Sequence, residues 1–149
     1  MIFDRTQNDV DTAIIIRREK VQAFAELTDD DIAILERGTI TINTLNRIES
    51  KQDILKGLFN EIGYWNTSIS NKIWAENDIF NADDFQRIID NANVLRNAFF
   101  VYKNTPSTPP VSYHYSDINA LEKILNDLDV MINDVKSHYR ECGTFESGE

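Results

Sequence analysis

Apolar residues recur at three- and four-residue intervals along most of the chain, and each such stretch starts at a residue suited to cap a helix. The first begins at Thr6, with Asp9 at capping-box spacing, and runs through "NDVDTAIIIRREKVQAFAEL". Val10, Ile14, Val21 and Phe24 are its expected buried stripe. The run "AIIIRR" alone has β-forming composition, but the periodic flanks on both sides predict helix. "TDDDIAILERG" predicts a short second helix. Thr28 stands at the cap, Asp29, Asp30 and Asp31 at the positive end of the dipole, and Gly38 in the left-handed position after the last turn.

A third helix follows in "TITINTLNRIESKQDILKGLFNEIG", with Leu45, Ile48, Leu55, Leu58, Phe59 and Ile62 on one face and Gly63 ending it. "YWNTSISNKIWAENDIF" then lacks a helical period. A loop of that length in a compact domain must be pinned or functional, so Tyr64, Trp65, Trp74, Ile79 and Phe80 are expected to close over the helices as a lid. Asn81 caps a fourth helix whose stripe is Phe85, Ile88, Ala92, Leu95, Phe99 and Tyr102. The prolines of "TPSTPP" stop it and form a stiff connection. Ser116 caps the last helix, in which Ile118, Leu121, Leu125, Leu128, Ile132, Val135 and Tyr139 keep a heptad seam. Ile124 and Met131 widen that seam towards a bundle core.

These patterns predict an all-α fold: a helical bundle of four long helices plus one short helix, with an aromatic loop packed on it. Residues 1–139 form a single helical domain, divisible into 1–66 and 67–139, and 140–149 form a flexible tail. Residues 45–59 also align with 85–99 at an offset of forty, pairing Leu45 with Phe85, Arg47 with Arg87, Ile48 with Ile88 and Phe59 with Phe99. Helical-hairpin repeats would produce this, as would any two amphipathic helices brought into register. Only the basic residue, at 47, 87 and again at 123, goes beyond the apolar pattern.

Composition agrees with helices. Five glycines and three prolines in 149 residues are too few for a turn-rich β sandwich, and 42% hydrophobic residues suffice for a core. The net charge of −10 repels phosphate backbones and anionic lipid, which disfavours nucleic-acid and membrane-surface partners. It serves solubility or attracts a basic partner. A lone cysteine, Cys142, excludes an intrachain disulfide and a cysteine zinc cage. The start "MIFDRTQNDVD" has no signal-peptide pattern, and no apolar window reaches membrane-spanning length, so a soluble protein made in the cytosol is expected.

Motif chemistry is sparse. His114 and His138 have no second ligand at helical spacing, the three aspartates after Thr28 lack calcium-loop spacing, and no phosphate loop, nucleophile elbow or zinc-protease motif occurs. No catalytic residue, metal or cofactor is expected. Two surfaces remain as candidates. Tyr64, Trp65 and Trp74 suit stacking on a sugar ring or anchoring a protein, and the seam Ile118, Leu121, Leu125, Leu128, Ile132 and Val135 suits self-association.

The succession "LERGTITINTLNRIESKQDIL", "GYWN", "DIFNADDFQRIIDNANVLRNAFFVY", "INALEKILNDLDVMI" and "YRECGTFESGE" resembles the minor structural, tail-associated proteins of phages and prophages of Gram-positive bacteria. The resemblance covers most of residues 27–149. It implies a non-enzymatic virion component synthesised in the host cytoplasm, acting through contacts with other phage structural proteins, with homo-oligomers and host-surface glycans as further partners. It carries no catalytic residue across. The alternative expectation is a carbohydrate-binding module that contacts cell-wall glycans through Tyr64, Trp65 and Trp74.

Overall fold

The helix starts are decided locally. Thr6, Thr28 and Asn81 each accept a hydrogen bond from the backbone N–H three residues on, and the aspartate there (Asp9, Asp31, Asp84) accepts from the cap's own N–H. Each box satisfies amides that a helix end would otherwise leave open. The computed structural model describes residues 1–64 and 67–142, with side chains as far as His138. Among these residues it is all-α, with no strand. Its helices are α1 (Gln7–Ile16), α2 (Asp29–Gly38), α3 (Ile42–Glu61), α4 (Ala82–Asn97) and α5 (Tyr115–Cys142). None is long and apolar enough to cross a membrane.

Helices α3, α4 and α5 pack into a three-helix core. Leu45, Ile48, Leu55 and Phe59 meet Phe85, Ile88, Ala92 and Leu95, and α5 lays its apolar stripe between them. The seam therefore has a different role from the one its heptad spacing suggests. Ile118, Leu121, Leu125, Leu128 and Ile132 are buried inside the chain's own core and Val135 is half-buried, so this stripe is not a surface for a second copy. A seam of this width is covered by two partner helices, and α3 and α4 supply them. Gly63 (φ +92°) ends α3 as expected, with the Tyr64 N–H bonded to the Phe59 carbonyl at 2.9 Å.

The first helix departs furthest from its sequence pattern. It is ten residues long and passes into a π-helical turn, Arg17–Val21, rather than running on to Leu27. Its contact face is Asp9, Ala13, Ile16 and Lys20. The expected stripe is largely outside: Ile14, Val21 and Phe24 are exposed and Val10 is half-buried. The reason is the antiparallel partner α2. Gly38 lies directly against the Asp9 carbonyl and the Ala13 methyl, where any Cβ would overlap them. Two small residues let these backbones approach, and that contact orients α1. Gly38 is thus the last helical residue, kept for close packing. The residue after it, Thr39, is extended (φ −135°).

Two further boundaries move. α4 stops at Asn97, before the proline run, so Phe99 and Tyr102 follow the helix instead of lying on its stripe. α5 starts at Tyr115, which places Ser116 inside the first turn. His114 precedes it, its carbonyl accepting from the Asp117 N–H at 3.0 Å and its Nδ1 lying 2.8 Å from Ser116 Oγ. α5 continues through residues 140–142, expected to belong to the tail.

Candidate functional site

The aromatic loop becomes an extended strap held by helix side chains that stand in for a neighbouring strand. Asn46 of α3 accepts from the Trp74 N–H (2.8 Å) and donates to the Trp74 carbonyl (3.0 Å). Asn91 of α4 does the same for Ser70, at 3.2 and 2.8 Å. At the centre lies Glu49 of α3, 1% exposed. Its carboxylate accepts from the Trp74 Nε1–H (2.7 Å), the Lys72 N–H (2.5 Å) and both terminal nitrogens of Arg87 (2.7 Å each). Glu49 raises the pKa of Arg87 further above its ordinary value, chiefly through that hydrogen bond. Burying a carboxylate is costly unless it is paired and fully hydrogen-bonded, and here every requirement is met within the chain.

A second buried carboxylate has a similar shell. Glu122 of α5, 0% exposed, accepts from Arg5 Nη1 (2.9 Å), from Arg47 Nε and Nη2 (3.0 and 2.9 Å) and from the Ile2 N–H (2.7 Å). Arg47 and Arg87, two of the three echoed basic residues, thus perform one task in different places: each neutralises a glutamate buried on another helix. Lys123 instead pairs with Asp127 one turn along its own helix.

The expected aromatic surface is not assembled. Trp74 is 3% exposed and packs edge-on against Phe80, so it has no open face for a sugar ring. Tyr64 is 38% exposed and lies against Phe59 and Phe99, beyond the opposite end of α3. Asn46, which holds Trp74, and Glu61 at the far end of α3 are about 22 Å apart by helical rise. Trp65 lies outside the described residues. Of the lid, Trp74 and Phe80 do close over the core, whereas Ile79 is exposed.

What the sequence pattern missed is the outer face of the α1–α2 hairpin. Ile14, Ile15, Val21 and Ile32 are exposed, and at the tip Phe24 is 97% exposed with a left-handed backbone (φ +53°). Left-handed φ is disfavoured for a bulky residue, so the turn displays this ring at some local cost. The hairpin beneath is held by two ionic ties. Arg37 reaches Asp9 (3.1 Å) and holds its carboxyl down at about 2 from an ordinary 3.8, together with the Thr6 cap. Lys20 reaches Asp31 (2.6 Å) and does the same with the Thr28 cap, again to about 2. Both folded-state pKa values lie below the unfolded one. Their contribution to stability is therefore present above pH 3.8 and is lost as pH falls through about 2. Amide hydrogen exchange in α1 and α2 should accelerate across that interval beyond the intrinsic pH trend. Unchanged protection would contradict the role of these ties.

No family model, curated protein or solved structure matches the chain.

Proposed function

We propose that the chain is a non-enzymatic structural or interaction protein of a phage or prophage, a tail-region component that works through protein–protein contacts made by its N-terminal hairpin. The observation that supports it most is the apolar outer face of α1–α2, ending in Phe24. An aromatic ring held open on a left-handed turn adds nothing to this chain's own core. Covering it returns about 1.5–3 kcal/mol, and aromatic residues at the centre of a patch are the usual anchors of protein interfaces. Ile14, Ile15 and Val21 precede it in sequence, with the charged Asp11 and Arg18 interspersed on the same helix face. The buried glutamates support the same reading, because their hydrogen-bonding capacity is spent on holding the strap and the N-terminal segment.

The test is incorporation into particles. Phage particles from a host carrying the gene are banded on a density gradient and probed for the chain. The wild type is expected to co-sediment. An Ile14→Ser/Phe24→Asn variant is expected to fold with unchanged far-UV circular dichroism, since asparagine tolerates the left-handed turn, and to be lost from the band. Absence of the wild-type chain from particles would overturn the virion reading, and normal incorporation of the variant would overturn the role of the hairpin.

A further inference from the structure

The α1–α2 hairpin is tied firmly to itself and only at its root to the bundle. Within it, Arg37 reaches Asp9, Lys20 reaches Asp31, and Gly38 lies against Ala13. None of its residues belongs to the core cluster that α3, α4 and α5 share. Among the described residues, its polar links to the rest of the chain are Arg37 to Asp4 (3.3 Å) and Glu36 to Asn43 (2.6 Å). Both sit beside a connector: Asp4 is two residues before Thr6, and Asn43 is two residues after Thr41.

Each connector passes from an anchored residue to the hairpin in a single step. Asn119 clamps the Arg5 backbone, accepting from its N–H (3.2 Å) and donating to its carbonyl (2.9 Å), and the next residue, Thr6, caps α1. On the other side Ile40 packs against the core, and Thr39 before it ends α2. Thr6 (φ −121°, ψ 166°) and Thr39 (φ −135°, ψ 162°) are both extended, in the broad region where the backbone turns without a clash. Hinges are made of a few element-terminal residues of this kind. Two attachment points fix one axis, which permits a swing and resists a twist. The space for a swing is present, since a cleft of about 220 Å³ separates Val10 and Gly38 from Tyr115 and Ile118.

We propose that the α1–α2 hairpin is a rigid arm that swings about Thr6 and Thr39, opening and closing this cleft. Its tip lies about 25 Å from the hinge by helical rise, so a swing of about 10° carries Phe24 through about 4 Å. Such an arm lets the ring meet a partner whose distance from the bundle varies. That use rests on the partner-binding reading above, whereas the swing itself does not.

Residual dipolar couplings of the backbone amides, measured on the full chain in one alignment medium, test the swing. Couplings from α1 and α2 should fit one alignment tensor together, smaller in magnitude than that of α3, α4 and α5 by about a tenth or more. Asp4→Ala/Asn43→Ala removes both side-chain links beside the hinge at exposed positions. It should enlarge the difference and leave circular dichroism unchanged. A single tensor for all five helices would show a fixed hairpin, and separate tensors for α1 and α2 a soft one. Either overturns the proposal, as does an arm tensor merely rotated at equal magnitude, or a difference in the variant no larger than in the wild type. None of these results bears on co-sedimentation with particles, so the two readings fail separately.

Discussion

Replacing Glu122 with alanine is expected to destabilise the fold by about 3–5 kcal/mol, measured by urea unfolding at neutral pH. The carboxylate is fully buried, and its removal leaves Arg5, itself 3% exposed, as a buried cation with no counter-charge. It also frees Arg47 and the Ile2 N–H, which hold α3 and the N-terminal segment against α5. The contrast is with exposed pairs such as Lys136–Glu61, whose removal should change stability by about 0–1 kcal/mol, because water screens both charges and both side chains regain freedom. A Glu122→Ala effect no larger than that would mean that Arg5 reaches solvent when its partner is lost.

The second large effect is expected at Trp74. Alanine there should cost about 3–5 kcal/mol, because the indole is a buried part of the core cluster and its N–H occupies Glu49. Phenylalanine should restore much of the packing yet remain destabilising by about 1–3 kcal/mol, the cost of leaving the Glu49 oxygen one donor short. Both variants should loosen the strap, read out as faster exchange of the Lys72 and Trp74 amides. A ligand-stacking tryptophan would behave in the opposite way, losing binding with stability intact. Trp74→Ala at wild-type stability would therefore return Trp74 to the list of surface candidates.

Several features were legible along the chain because they are decided within a few residues. The three capping boxes are in the sequence as Thr6/Asp9, Thr28/Asp31 and Asn81/Asp84, and all three form. The apolar stripes of α3 and α5 are where the spacing puts them, because a helix surrounded by partners buries its widest apolar face. Polar residues set inside those stripes were the overlooked signal. Glu49 is four residues from Leu45 and Glu122 four from Ile118, both on the inward face where a lone carboxylate is untenable. A glutamate in that position announces an arginine reaching in from another element. The spacing alone does not say which one.

The sequence by itself determined the all-helical class, the starts of α1, α2 and α4 and the inner faces of the central helices, since capping and helical periodicity act over one or two turns. Only the tertiary structure decided the rest. Close contact between Gly38 and Ala13 turned α1 so that Ile14 and Ile15 face outward, with Phe24 beyond them. The width of the α5 stripe was matched by α3 and α4, which made a seam into a core. Trp74 was drawn inward by a glutamate twenty-five residues away in the chain. Each of these depends on which surfaces meet across long sequence separations, and no local pattern encodes that.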